Sequence, residues 1–214
     1  MDRPAPEDSE ATHARRRRVL QEVVETEATF VANLNMFVDG YVEHFRLENS
    51  EVKKSFAGNA RIAVLFSNLA QIQTINADLL ARLRERVAAA ADTAGPSAAV
   101  GDIFTQFAPL FALYAQYTAN HAKASQVLHT FETQPDFLKL MEELSSNFVT
   151  QYQRPSQSIG SYLIMPVQRV PRYRLLLLEL YKYTPTTHAD REALVGALGL
   201  VEEAAMLINE TIRS

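Results

Sequence analysis

The sequence predicts an all-α fold, an elongated bundle of about six long helices. Glycine is scarce, with 7 in 214 residues, and the alternating pattern of a β-strand is hard to find. Alanine, leucine, glutamate and arginine are plentiful, which is typical of helical proteins. Apolar residues recur at spacings of three and four along most of the chain, and this spacing places them on one face of an α-helix.

The length and composition fit a single domain, because 214 residues with 47% hydrophobic content can build one sizeable core. We expect a disordered lead over residues 1–11 and one helical domain over residues 12–214. Residues 1–18 are polar and charged and lack the apolar segment of a secretory signal. No run reaches the ~18 apolar residues of a membrane span. Together with the absence of cysteine, these features predict a soluble cytoplasmic protein.

The first two helices follow directly from their apolar stripes. The first spans roughly residues 12–47, and Ser9 is a favoured residue type for its N-cap. The second carries apolar residues from Ile62 to Val87 and stops near Gly95-Pro96, a strong helix-breaking pair. Four further helices are predicted over residues 100–131, 135–148, 161–185 and 188–213.

The fifth predicted helix combines features that conflict with one another. Its leucine run, Leu175 to Leu178, favours a helix with a long apolar side. Pro166 and Pro171 oppose one, because each costs about 3 kcal/mol in a helix interior. Several long polar side chains occur in the same short span. We interpret the segment as a helix whose prolines bend it and whose lost backbone bonds the bundle tolerates.

No motif of covalent or metal-dependent catalysis is present. A di-metal helical bundle needs Glu-x-x-His pairs from two helices, and the sequence does not supply two. There is no His-Glu-x-x-His, no P-loop and no Gly-x-Gly-x-x-Gly. Cysteine nucleophiles are absent. We therefore expect no enzyme chemistry, no cofactor and no metal. A net charge of −4 also argues against a general nucleic-acid binder.

Three polar features do not fit a plain helical core. Glu27 falls on the apolar side of the first helix, where a charge must be paired or must face something other than the core. Spacing alone favours a place at the edge of the stripe, in solvent or bonded locally. Asn209 interrupts the apolar run AAMLINETI and is either a functional residue or an ordinary exposed asparagine.

The third feature is a mixed face on the fifth helix. A face that mixes aliphatic residues with a glutamine and an arginine has the composition of a protein-binding surface. An ordinary solvated face is the alternative. The four residues that share this face are Ile164, Gln168, Arg172 and Leu175. Arg15 to Arg18 also have two interpretations. They form either the solvated start of the first helix or a contact with an anionic membrane.

The segment YLIMPVQRVPRYRLLLLELYKYTP, residues 162–185, closely resembles the third conserved block of the Dbl-homology (RhoGEF) domain. VLQEVVETEATFVANL resembles the first block, and VGDIFTQFAPLFALYAQYTANHAKA resembles the second. LFSNLAQIQTINADLLARL is similar to the family's second helix, and AAMLINE to the end of its last helix. The resemblance covers about residues 15–214.

The resemblance implies a flattened, elongated bundle that binds a Rho/Rac-type small GTPase and accelerates GDP release so that GTP can load. It implies that Glu27 contacts switch I of the GTPase. Arg172, with Gln168 beside it, and Asn209 are implied to contact switch II. Ile164 matches a position associated with the choice among GTPases. The exchange itself involves no covalent chemistry.

The sequence departs from the family pattern at three points. Phe30 replaces the usual tyrosine, and Met165 occupies a place where lysine or threonine is common. The pleckstrin-homology domain that usually follows is not expected in this chain. An exchange-inactive scaffold that binds a GTPase or another protein remains the alternative function. Peripheral recruitment to membranes is compatible with both, whereas a membrane-shaping bundle would need a broad basic face.

Overall fold

The computed structural model describes residues 6–46, 56, 59–91 and 97–213, which are mostly helical and contain no strand. This confirms the predicted all-α fold. A π-helical turn at Val38–Val42 and a 3-10 turn at Ala108–Phe111 complete the helical elements. Among the described residues, no helix is long and apolar enough to cross a membrane. The α-helices are α1 Glu10–Phe37, α2 Glu43–Arg46, α3 Ala60–Phe66, α4 Leu69–Ala91, α5 Gly101–Phe107, α6 Ala112–Glu132, α7 Pro135–Tyr152, α8 Ile159–Lys182 and α9 Arg191–Arg213.

Helix α8 lies at the centre of the bundle and packs against α1, α6 and α9. Helix α1 also packs against α4, and α9 also packs against α5 and α6. One connected hydrophobic cluster joins these helices. Because α8 is enclosed on several sides, most of its leucine and valine side chains are buried. The remaining face of α8, between α1 and α9, is open to solvent.

Helix α1 begins at Glu10, and the predicted N-cap is confirmed because the Ser9 hydroxyl accepts a hydrogen bond from the Thr12 amide at 3.3 Å. The predicted continuous helix is interrupted at Val38–Val42, where the backbone forms the π-helical turn. A β-carbon on Gly40 would lie 2.8 Å from Phe148 Cδ2. The turn therefore needs glycine where α7 approaches it. The expected end at residue 47 lies outside the described residues.

The second predicted helix is wrong in one respect, because the structure divides it into α3 and α4. Ser67 lies between them with φ of 47°, a conformation that an α-helix cannot contain. The adjacent Asn68 donates its side-chain amide to the Leu113 carbonyl on α6 at 3.0 Å. The predicted stop at Gly95-Pro96 lies outside the described residues.

The third predicted helix is also divided. Pro109 lies in the 3-10 turn Ala108–Phe111, so α5 and α6 meet at this turn rather than forming one helix. Proline lacks a backbone N–H, so Pro109 removes one α-helical hydrogen bond at this turn. The fourth predicted helix extends to Tyr152, where Gln153 ends it in the left-handed conformation.

Helix α8 runs continuously through Pro166 and Pro171, which confirms the interpretation of this segment as a helix. Each proline removes one N–H, so the carbonyls four residues earlier lose their usual donors. The next carbonyl, that of Leu163, accepts a hydrogen bond from the buried Tyr117 hydroxyl at 2.9 Å. Helix α6 thus supports α8 at the first proline.

Aromatic rings fill the end of the bundle near α7. The Phe37 and Tyr162 rings stack with their centroids 4.6 Å apart, and Phe131 and Phe137 stack at 5.3 Å. Paired aromatic rings contribute about 0.5–1.5 kcal/mol beyond the area that they bury. The bundle is therefore closed at this end by apolar packing.

A buried ion pair closes the opposite end. The Arg16 side chain is 0% exposed, and its Nη2 lies 2.5 Å from Asp190 Oδ2. Its Nε donates to the Thr184 hydroxyl at 3.0 Å, and its Nη1 donates to the Ala98 carbonyl at 2.9 Å. Arg15, Arg17 and Arg18 are exposed, so the expected solvated helix start is wrong for Arg16 alone.

The same aspartate caps α5 and draws it against α9. Asp190 accepts hydrogen bonds from the backbone amides of Val100 at 3.0 Å and Gly101 at 2.8 Å. A β-carbon on Gly101 would lie 2.6 Å from the backbone of Ala193 and Leu194. Glycine therefore permits the close approach of α5 to α9. One carboxylate thus connects α1, α5 and the start of α9.

We predict that Arg16→Gln destabilises the protein far more than Arg17→Gln. Loss of the buried charge leaves Asp190 unpaired and costs about 3–5 kcal/mol. Arg17 pairs with Glu10 in solvent, where such a pair contributes about 0–1 kcal/mol. Urea unfolding followed by circular dichroism measures both values. Similar losses for the two neighbouring substitutions would contradict a structural role for the buried pair.

We predict that acidification weakens folding through His188. Its Nε2 donates to the Ser97 carbonyl at 2.9 Å, and its Nδ1 accepts from the Asp190 amide at 3.0 Å, so the folded state holds the neutral ring. Burial, and then the charge of Arg16, lower the pKa of His188 below 6.5. Its contribution to stability is present above pH 6.5 and is lost as the pH falls through the lowered pKa.

The measurement is the melting temperature between pH 7.5 and 5.5 for the original chain and for His188→Gln. Burial also lowers the pKa of His121, and burial raises the pKa of Glu27, which acts in the opposite direction. The comparison between the two proteins isolates His188. A pH dependence that His188→Gln leaves unchanged would remove His188 as a cause.

Candidate functional site

Glu27 lies inside the bundle, with its side chain 0% exposed. Its Oε2 accepts hydrogen bonds from Arg169 Nη2 at 2.5 Å and from Arg169 Nε at 3.2 Å. The Tyr173 hydroxyl lies 2.7 Å from the same oxygen. The Arg169 guanidinium stacks 5.1 Å from the Phe30 ring centre and 4.5 Å from that of Tyr173. Glu27 therefore pairs α1 with α8.

This location corrects the expectation from spacing that the Glu27 side chain sits at the edge of its stripe, because the side chain is 0% exposed. Its implied contact with switch I of a GTPase stays a prediction. The anomaly in the sequence pattern was real, but its explanation is a buried partner on α8 that lies far away in the sequence. Burial raises the pKa of Glu27, and the charge of Arg169 opposes this rise. A buried carboxylate held by a charged guanidinium fixes the two helices at one relative position.

Gln168 and Arg172 lie on the open face of α8, as predicted, and both are exposed. They line a groove of about 410 Å³ between α1 and α8, together with Met165. On the α1 side, Thr26 and Thr29 contribute hydroxyl groups. Phe30 also lines the groove, which therefore combines polar and apolar side chains from the first and third sequence blocks.

Glu22 is a surface residue that the sequence reasoning missed. Its Oε1 lies 4.0 Å from Arg172 Nη2, and both side chains are more than half exposed, at 57% and 54%. Glu22 and Glu27 are five residues apart on α1, which separates them by about 140° around the helix. This angular difference was available from the sequence. Glu22 therefore supplies an exposed carboxylate beside Arg172.

Asn209 is exposed on α9, on the other side of the α8 ridge. It lines a depression of about 510 Å³ between α8 and α9, where Leu175 and Met206 are 61% and 59% exposed. Across this depression, Arg174 Nη2 pairs with Glu202 Oε1 at 2.9 Å. Helices α1, α8 and α9 together present a groove and a depression that both combine polar and apolar side chains.

Ile164 is partly buried and packs against the hydrophobic cluster one turn before Gln168. Met165 is also partly buried and adds an apolar surface where the family pattern often carries a polar side chain. Within the described ranges, no group of three or more histidine, aspartate or glutamate side chains could hold a metal ion. The mixture of exposed polar and apolar side chains on this face has the composition of a protein-binding surface.

The described face lies within a region that matches a known family. A family model described as the RhoGEF domain matches residues 19–209. "Protein still life, isoform SIF type 1" of Drosophila melanogaster is 32% identical over 206 residues, with 92% of this chain and 9% of that protein covered. "Rac guanine nucleotide exchange factor JJ" of Dictyostelium discoideum is 31% identical over 208 residues, covering 97% and 17%. The chain thus spans only a small part of these relatives.

Solved structures agree with this fold. PDZ-RhoGEF DH/PH domains in complex with activated RhoA superpose with a TM-score of 0.77 and 18% identity, covering 96% of this chain and 55% of that chain. An activated truncation of Vav1 gives a TM-score of 0.76 and 24% identity, covering 94% and 48%. These identities support the fold alone. The match of the family over most of the sequence establishes that this chain belongs to the RhoGEF domain family.

Proposed function

We propose that this chain is a guanine-nucleotide exchange factor that binds the switch regions of a Rho-family small GTPase and accelerates GDP release. The observation that carries the proposal is the exposed Glu22–Arg172 pair, which lies with Gln168 on the groove between α1 and α8. The Dictyostelium relative is named as a Rac exchange factor, and a structural neighbour is a complex with RhoA. These names support a Rho- or Rac-type partner.

The proposal assigns direct contacts to Glu22, Gln168, Arg172 and Asn209, and assigns selectivity among GTPases to Ile164. The first three line or border the α1–α8 groove, and Asn209 extends the face to α9. The exposed apolar side chains near Asn209 are of the kind that form the centre of a protein interface. Glu27 holds α1 and α8 in register beneath this face through its buried pair with Arg169, and its implied contact with switch I stays part of the proposal.

Exchange by such a face requires no covalent step. Nucleotide affinity in a small GTPase depends on Mg²⁺ bridging the phosphates and on ordered switch loops. A protein that binds the GTPase with displaced switches better than the nucleotide-bound form must weaken nucleotide binding by thermodynamic reciprocity. Glu22 and Arg172 pair with each other in the free protein and exchange this mutual contact for contacts with the switches. Exchange therefore depends on the accurate position of these side chains more than on shifted pKa values.

We predict that the chain accelerates release of a fluorescent GDP analogue from at least one member of a panel of Rho, Rac and Cdc42-type GTPases. The expected result is a release rate that rises with the concentration of the chain and saturates. A folded sample that accelerates release from no member of the panel would refute the exchange activity. Binding to a nucleotide-free GTPase without acceleration would instead support a scaffold.

We predict that Glu22→Gln and Asn209→Ala lower the exchange rate at least about tenfold, because central interface residues contribute about 2 kcal/mol or more. Both side chains are exposed, so the free energy of unfolding of each variant should remain within about 0.5 kcal/mol of that of the original chain. Glu27→Ala should lower the exchange rate and also the stability, by about 3–5 kcal/mol, because it leaves Arg169 buried without its partner.

Glu203→Gln provides the matched control. Glu203 is exposed on α9, and its substitution removes the same charge as Glu22→Gln. Its exchange rate should equal that of the original chain. Full activity of Glu22→Gln would show that Glu22 is not a contact. A Glu27→Ala protein with unchanged stability would show that Glu27 does not hold the helices together.

A further inference from the structure

The hydrogen bonds around Glu27 continue into two helices that do not reach the proposed binding face. The Tyr173 hydroxyl lies 2.7 Å from Asn76 Oδ1 as well as from Glu27 Oε2, and its single proton is donated to one of these two acceptors at a time. Asn76, on α4, donates its Nδ2 to the Tyr114 hydroxyl on α6 at 2.6 Å and to the Ile72 carbonyl at 2.7 Å. We call this chain, from Glu27 through Arg169, Tyr173 and Asn76 to Tyr114, the polar relay.

The polar relay is fully enclosed. Asn76 and Tyr114 are each 1% exposed, and burial raises the pKa of Tyr114 far above the physiological range, so its hydroxyl stays protonated. Burial likewise raises the pKa of Tyr173. The Tyr173 ring packs between Phe104 and Phe111 with both ring centres 5.6 Å away. The relay therefore stays uncharged beyond Glu27 and Arg169, and its geometry is held on all sides.

Hydrogen bonds restrict helix positions in a way that apolar packing does not. A buried hydrogen bond tolerates only a few tenths of an ångström in length and loses strength steeply with angle. Apolar contacts tolerate repacking with modest loss of stability, and uniqueness of the structure is lost first. Glu27 Oε1 has no hydrogen-bond partner, and the remaining hydrogen bonds of the buried network favour one arrangement among several that would be nearly as stable. The relay applies this restriction to α1, α4, α6 and α8 together.

The restricted helices carry the proposed binding residues. Tyr173 directly follows Arg172, and Arg169 directly follows Gln168. The hydrogen bonds of the inward side chains, Tyr173 and Arg169, therefore fix the positions of their outward neighbours on the same helix. Rotating a helix by about 10° moves an atom ~6 Å from its axis by about 1 Å. A displacement of this size in a positioned group can lower a rate up to about a hundredfold. Small rotations of α8 against α1 are therefore enough to impair the face.

We propose that Asn76 and Tyr114 are positioning residues, which act through Tyr173 to set the rotation of α8 against α1 and so place Gln168 and Arg172 beside Glu22. The proposal rests on the proposed exchange function only in naming the activity that the placement serves. Neither residue contacts the GTPase. Their effect on exchange is transmitted by helix position.

The test compares Asn76→Leu and Tyr114→Phe with a matched control, Asn120→Leu. Asn120 is also an amide between helices, and its Nδ2 donates from α6 to the Val64 carbonyl on α3 at 2.6 Å, outside the relay. At saturating GTPase and below the melting transition, Asn76→Leu should lower the exchange rate about tenfold and Tyr114→Phe by less. Asn120→Leu should stay within about twofold.

A distance measurement separates positioning from a general loss of stability. The sequence has no cysteine, so Ala32→Cys on α1 and Glu179→Cys on α8 place two spin labels at unique exposed sites. The antiparallel contact between Glu27 and Arg169 puts these sites roughly 20 Å apart along the helix axes. Double electron–electron resonance between the two spin labels should give a narrow distance distribution in the doubly labelled original chain and in doubly labelled Asn120→Leu. Asn76→Leu should broaden or shift it.

A shifted or broadened distribution together with slower exchange supports the proposal. An unchanged distribution in folded Asn76→Leu and Tyr114→Phe overturns it, whatever the exchange rate. If Asn76→Leu fails to fold, Tyr114→Phe decides the question, because it removes one oxygen only. If the original chain accelerates no GTPase, the proposed function fails, and the distance measurement still decides whether the relay positions α8 against α1.

Discussion

The arrangement of the bundle depends on the buried carboxylate of Glu27. A charge without exposure requires a counter-charge and hydrogen bonds, and Arg169 and Tyr173 provide them from α8. This requirement joins the first helix of the chain to the central one at a single register. A second buried carboxylate, Asp190, does the same at the end of the bundle by binding Arg16 and the start of α5. Between these points, apolar packing fills the volume and the ion pairs select the arrangement.

The division of labour on α8 follows from its position in the bundle. Residues at the spacing of Arg169 and Tyr173 point inward, and Gln168 and Arg172 point outward one residue away. A helix enclosed on three sides has only one open face, so its exposed polar residues are concentrated there. The helix continues through both prolines, and near the first of them the Tyr117 hydroxyl of α6 donates to the Leu163 carbonyl. The segment thus combines core packing with a surface for a partner.

The proposed function is consistent with this rigidity. An exchange factor acts by stabilising one state of its partner. Binding free energy that is spent on ordering the binding face of the exchange factor is not available for this stabilisation. A helical face fixed by buried ion pairs and by the polar relay meets that requirement. The exposed Glu22–Arg172 pair has a modest energy in solvent, which makes it readily exchanged for contacts with a GTPase.

Local pattern in the sequence determined that the chain is helical, where most helices lie and which α8 residues face outward, because these depend on spacing along one helix. It also marked Glu27 as anomalous. The breaks at Ser67 and Pro109 were missed, since the apolar spacing continues across both. Only the tertiary structure decided that Glu27 is buried and that Glu22 takes the exposed place beside Arg172. The partners of Glu27, Arg169 and Tyr173, are more than a hundred residues away from it in the sequence. No local pattern specifies which distant side chains a buried charge will contact.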